Sequence, residues 1–288
     1  MNKILITGAN GQLGTELQNI LKQRSDCTYI ATDVAQLDLT DLTAVERFFE
    51  QNKGITHVVN CAAFTAVDAA ESNIELCTKV NVDAPYNLAQ CATRHNVKMV
   101  HVSTDYVFDG TSCHPYKETD APCPLSVYGS TKLKGEQKAT EACPDVIIFR
   151  TAWLYSPYGK NFVKTMLSLG RDKESLSVVF DQVGSPTCAA DLASAIMAAI
   201  DYPMWQAGVY HFSNEGVISW YDFTKAIHRI AGITTCNVKP ILSVQYPTPA
   251  HRPSFSVFDK TKVKETFGIE IPYWEDSLRK TIEILNNN

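Results

Sequence analysis

The sequence predicts an α/β protein: a doubly wound parallel sheet with a smaller, interleaved C-terminal domain. Three observations carry that expectation. Short β-branched runs alternate with amphipathic segments through the first half, which is the rhythm of βαβ units. A glycine-rich stretch, Gly8-Ala9-Asn10-Gly11-Gln12-Leu13-Gly14, follows the first apolar run directly. Beyond Trp153 the alternation loosens, and proline collects between residues 243 and 256.

The elements follow in order. Lys3–Thr7 reads as a first strand, Thr15–Gln23 as its helix and Cys27–Asp33 as a second strand. Leu42–Asn52 is apolar at helical spacing, and His57–Ala63 is a third strand. Another apolar-periodic stretch (79–95) leads to the run Lys98–Thr104, and the helix-like segment Tyr128–Ala142 to the run Asp145–Thr151. A six-stranded sheet of the Rossmann type fits this order. The second half predicts helices over about 161–170, 191–200 and 220–230, a strand near 176–180 and a further run at Gly208–Asn214. The segment Ser243–Ser256 reads as a long ordered loop. Residues 1–154 plus about 175–215 are expected to form the dinucleotide-binding half. About 155–174 and 216–288 should form a substrate-binding lid. The closing Asn286-Asn287-Asn288 should fray.

Bulk properties narrow the function. The chain has 288 residues, 45% of them hydrophobic, enough to bury a sizeable core. Its formal charge of −5 comes with dispersed lysines and arginines, so no basic footprint for nucleic acid or an anionic membrane is expected. Nine cysteines lie at scattered spacings without a C-x-x-C pair, which speaks against a disulfide framework or a zinc knuckle. No apolar run approaches the ~20 residues that cross a bilayer, and the expected location is cytoplasmic.

The glycine stretch raises specific chemistry. A phosphate needs backbone N–H groups free of Cβ atoms, and a helix start supplies those donors with a favourable partial charge. Gly8, Gly11 and Gly14 stand where that geometry requires them. Asp33, at the end of the second strand, could accept hydrogen bonds from an adenosine ribose; taken alone it reads equally well as a turn aspartate. Further on, Tyr128 and Lys132 are four apart, hence on one helix face. A cation beside a phenol is expected to lower its pKa from ~10, bringing proton transfer nearer neutrality, as a carbonyl–alcohol interconversion requires. Thr104 ends the strand before that helix, where open α/β sheets place their ligands.

The G-x-x-G-x-x-G spacing resembles the extended, nucleotide-sugar-acting branch of the short-chain dehydrogenase/reductase superfamily. Seven stretches make the resemblance closer: Gly8–Gly14, Asn60–Glu71, Val102–Gly110, Val127–Glu136, Phe149–Tyr155, Asn161–Leu167 and Tyr246–Pro253. With them the chain resembles the dTDP-4-dehydrorhamnose reductase family, which performs the last step of dTDP-L-rhamnose synthesis. The resemblance implies a catalytic set of Thr104, Tyr128 and Lys132. It implies that Thr104, Asp105 and Trp153 meet a dTDP-sugar, with Trp153 read equally well as a core aromatic. The dinucleotide, NADPH or NADH, would be lined by Gly8, Gly11, Gln12, Leu13, Gly14, Asp33, Asp38, Leu39, Ala62, Ala63, Phe64, Thr65, Val102, Tyr128 and Lys132. Phe64 departs from the histidine of some relatives.

Related 4,6-dehydratases carry Thr-Asp-Glu where this chain has Thr104-Asp105-Tyr106, so elimination lacks an acid–base partner and simple reduction is expected. A negative Asp33 disfavours a 2′-phosphate, yet the family includes users of either dinucleotide, and the choice stays open. Some relatives hold magnesium between subunits; Glu16 is present here, but Ala189 and Ala190 stand where such a relative has a glutamate, so no metal is expected. Arg252 reads equally as a diphosphate contact or half of an ion pair. A homodimer is possible. Two other functions stay open: a non-catalytic binding subunit of this fold, and a reductase or epimerase for another 4-keto nucleotide sugar.

Overall fold

A computed structural model describes residues 1–287, so Asn288 of the expected frayed tail lies outside the described residues. The central sheet is built from β1 (Asn2–Thr7), β2 (Cys27–Thr32), β3 (His57–Asn60), β4 (Lys98–Thr104), β5 (Ile147–Thr151) and the later strand Gly208–Phe212. From one edge to the other the order is Gly208–Phe212, β5, β4, β3, β1, β2, and every pairing is parallel. Only five of the six strands come from the first half; the sixth is the run around Tyr210.

Consecutive apolar residues mark strands covered on both faces. Ile4 and Ile6 face a cluster with Leu17, Val100, Phe149 and Ile196, while Leu5 between them faces Val45, Val58, Leu88 and Met99. Strand order reverses at β1, with β2 on one side and β3 on the other, and that reversal opens a crevice at the carboxyl ends of the strands.

Helix α1 (Gln12–Leu21) starts earlier than the amphipathic pattern suggests, at Gln12 rather than Thr15. Gly11 is its N-cap, and no side chain caps it, so its first N–H groups stay open to the crevice. Helix α2 (Leu42–Gln51) is capped by the Asp41 carboxylate. A π-helical turn, Lys79–Asp83, precedes the helix Ala84–Arg94; both this turn and the short helices Val67–Ala70 and Ile74–Thr78 escaped the periodicity reading.

A second core gathers Tyr155, Val163, Met166, Val178, Phe223, Ile227, Val238, Trp274 and Leu278, away from the sheet. Two segments lie elsewhere than the sequence suggests. Ser175–Val179, expected with the dinucleotide half, pairs in parallel with Asn237–Ile241 and packs through Val178 into the second core. Thr261–Phe267, expected in the lid, places Val263 and Phe267 in the core beneath the sheet. Both are short segments with a single apolar stripe, and whichever apolar face lies nearest in space claims them.

Candidate active site

A cavity of about 710 Å³ opens at the strand ends, between the sheet and the second core. The glycine loop forms one wall. Gly8 has φ +62°, and a Cβ there would sit 2.7 Å from the Ala62 nitrogen; a Cβ on Gly14 would sit 2.5 Å from the Gly8 carbonyl oxygen. The loop is thus pressed against the end of β3 with the uncapped start of α1 facing the cavity, a cradle that fits a pyrophosphate. Asp33 lines the same wall, and its carboxylate already holds the chain by accepting from Asn10 N–H at 3.1 Å and Val34 N–H at 2.8 Å. Turn aspartate and cavity residue are therefore one role. Asp38 accepts from the Thr40 amide and hydroxyl at 2.9 and 2.7 Å.

Seventeen of the eighteen distinct residues expected at the site, Gln12, Leu13, Leu39, Ala62, Ala63, Thr65 and Val102 among them, line this cavity. Phe64 does not: its ring packs with Ala70, Cys77 and Tyr128. Its backbone is clamped by Asn81 of the π-helical turn, which accepts from Phe64 N–H at 2.8 Å and donates to its carbonyl at 3.1 Å. Val34, Leu37, Cys61, Gly159, Lys160 and Asn161 also line the cavity and escaped the sequence reading. For the last three, the only available signal was the Asn161 helix start.

The helix Val127–Ala142 begins with Ser126 capping Gly129 N–H at 3.1 Å. Gly129 lets this helix start approach the chain after β4, since a Cβ there would meet the Tyr106 carbonyl oxygen at 2.2 Å. Tyr128 consequently sits next to the Thr104 strand end, its ring edge-on to Tyr106 at 5.4 Å. One turn later Lys132 is 2% exposed, and its ammonium donates to the Val102 carbonyl at 2.7 Å. Burial lowers the Lys132 ammonium to about 8, with nearby Glu136 pulling upward.

The expected lowering of the Tyr128 pKa is not seen. Burial pushes the phenol well above its usual value, and the Thr104 hydroxyl pulls it down only in part. Desolvation of the phenolate outweighs the cation because the ammonium is bonded to a backbone carbonyl rather than to the phenol.

Asp105 is 2% exposed; one carboxylate oxygen accepts from the Thr104 hydroxyl at 3.0 Å, and the other has no partner among the described residues. Burial raises its carboxyl to about 6, against the Ser256 and Thr104 hydroxyls. A raised carboxyl pKa means the unfolded chain ionises first, so folding stability is lost as pH climbs from about 4 through 6. Asp105→Asn is expected to flatten that part of the curve, as melting temperature measured from pH 4 to 7 would reveal; an unchanged slope would refute the assignment.

Trp153 adopts φ +49°, unusual for a bulky residue, as the chain leaves β5. Its ring stacks on Trp220 at 3.6 Å and 12°, over Gly184, where a Cβ would come within 2.9 Å of it. It both lines the cavity and packs on the second core. Arg252 forms a two-pronged pair with Asp68, at 3.0 and 2.8 Å, tying the proline-rich loop to the segment after β3. The ion pair expected of Arg252 is thus formed. Glu16 is buried near Asp191, and among the described residues no group of three His, Cys, Asp or Glu side chains is placed to hold a metal.

The family model described as the RmlD substrate binding domain matches residues 1–287. The dTDP-4-dehydrorhamnose reductase of Aggregatibacter actinomycetemcomitans is 41% identical, over 97% of this chain and 98% of its own length. A solved dTDP-4-dehydrorhamnose reductase from Clostridium acetobutylicum superposes with a TM-score of 0.94 at 44% identity, covering 99% of both chains. The Bacillus anthracis dTDP-4-dehydrorhamnose reductase in complex with NADP also gives 0.94, at 37% identity, over 99% of this chain and 100% of that one.

Proposed function

The chain belongs to the RmlD substrate binding domain family, and from that premise we propose that it reduces the C4 ketone of dTDP-6-deoxy-L-lyxo-4-hexulose to dTDP-L-rhamnose with NADPH or NADH. The observation that carries this reading is one cavity lined by the glycine cradle and by Thr104, Tyr128 and Lys132 together.

When bound, the reduced nicotinamide supplies the hydride for C4. The glycine loop and the start of α1 would hold its pyrophosphate, and Asp33 and Asp38 the adenosine side. Tyr128 donates the proton to the carbonyl oxygen as negative charge develops there. A phenol kept neutral by burial is held in its donor form, and it releases the proton only when that oxygen becomes the stronger base. Lys132, anchored on the Val102 carbonyl, fixes a positive charge near the phenol and supports the phenolate left behind. Thr104 orients the ketone. Asp105 and Trp153 border the sugar.

Mixing the purified chain with dTDP-6-deoxy-L-lyxo-4-hexulose and following NADPH and NADH oxidation tests the reading. Cofactor consumption with dTDP-L-rhamnose as product is the expected result. No consumption with either dinucleotide, or faster reduction of a different 4-keto nucleotide sugar, would overturn it.

A further inference from the structure

The glycine cradle is crossed by a segment from the other half of the molecule. Ser156–Asn161 leaves the second core and returns over the start of α1, where Asn161 donates to the Gln12 side-chain oxygen at 3.0 Å and Tyr158 accepts from Asn19 at 3.0 Å. Gly159, at φ +64°, lies so close that a Cβ there would be 3.2 Å from the Gln12 side chain. Asn161 also caps the helix Phe162–Asp172 through Lys164 N–H at 3.1 Å, which fixes the segment at both ends.

Between these anchors stands Lys160, exposed and lining the cavity. Among the described residues its ammonium has no hydrogen-bond or ion-pair partner. The charged side chains that line the cavity are Asp33, Asp38, Asp105, Lys132 and Lys160. Lys132 is buried on the Val102 carbonyl, so Lys160 is the one exposed cation of that wall. A pyrophosphate carries two negative charges, while a helix start offers the equivalent of about +0.5. The cradle is thus short of positive charge where the unpaired Lys160 is stationed.

We propose that Lys160 is a dinucleotide-binding residue whose ammonium pairs with the pyrophosphate across the cavity from α1, so that cofactor binding also fastens the second core onto the glycine loop. This inference rests on the dinucleotide site proposed above and adds a contact from outside the Rossmann half. No bond is made or broken; the effect is on affinity.

Equilibrium binding, read by nicotinamide fluorescence without sugar substrate, tests it. ADP-ribose and adenosine are measured by competition with NADH. For Lys160→Ala, the dissociation constants of NADH, NADPH and ADP-ribose are expected to rise alike by about 5- to 20-fold, while adenosine, which has no phosphate, binds as to the wild type. The difference should shrink toward 1 M salt, where the Debye length is about 3 Å, and Lys160→Arg should restore most of the affinity. Unchanged NADH and ADP-ribose binding in Lys160→Ala, with tight binding by the wild type, would overturn this inference and leave the reductase reading standing. A loss confined to NADPH would place the ammonium at the 2′-phosphate and overturn the pyrophosphate assignment. Failure of the wild type to bind any dinucleotide would overturn both readings.

Discussion

Replacing Tyr128 by phenylalanine is expected to lower kcat by about 10²- to 10⁴-fold, the usual worth of a positioned proton donor, while NADH binding stays within about twofold. The ring keeps its burial and its edge-on contact with Tyr106 at 5.4 Å, so only the hydroxyl is lost. Single-turnover oxidation of NADH by the 4-keto nucleotide sugar, alongside fluorescence titration of NADH, separates the two effects. Turnover at wild-type rates would remove Tyr128 from the proposed mechanism. In the wild type, activity should also decline as pH rises past about 8, where the buried Lys132 loses its proton and the phenolate loses its positive neighbour.

Glu136→Ala should have the largest effect on stability. Arg150 donates to Glu136 through Nε at 2.9 Å and through its terminal nitrogen at 2.7 Å, and both side chains are 5% exposed. The guanidinium also lies 5.3 Å from the centre of the Phe108 ring. Removing the carboxylate strands a buried charge, which costs about 3–5 kcal/mol, a large share of the roughly 5–15 kcal/mol that holds a folded chain together. Urea denaturation should register that loss, and the double substitution Glu136→Leu with Arg150→Met should recover much of it, because no lone charge remains. A single variant as stable as the wild type would contradict the argument.

Much of this was legible along the chain because it depends on short-range geometry. The glycine spacing, the strand before it and the helix after it lie within the first 23 residues, and the Tyr128–Lys132 pair needs only the helical repeat. The direction of the Phe64 ring was not legible, because its backbone is held by Asn81, seventeen residues away on a π-helical turn that no apolar period announces. Gly159 and Lys160 escaped for the same reason. Their meaning comes from Gln12 and Asn19, contacts that span about half the chain.

The sequence by itself determined the parallel sheet, the glycine loop ahead of α1 and the helical spacing of Tyr128 and Lys132, since each follows from local conformation. Tertiary structure alone decided that Arg252 pairs with Asp68, that Trp153 stacks on Trp220, and that burial raises rather than lowers the Tyr128 pKa. The physical reason is one of range: backbone preferences act over a few residues, whereas ion pairing, ring stacking and desolvation depend on which distant segments the fold brings together and on how much water it leaves between them.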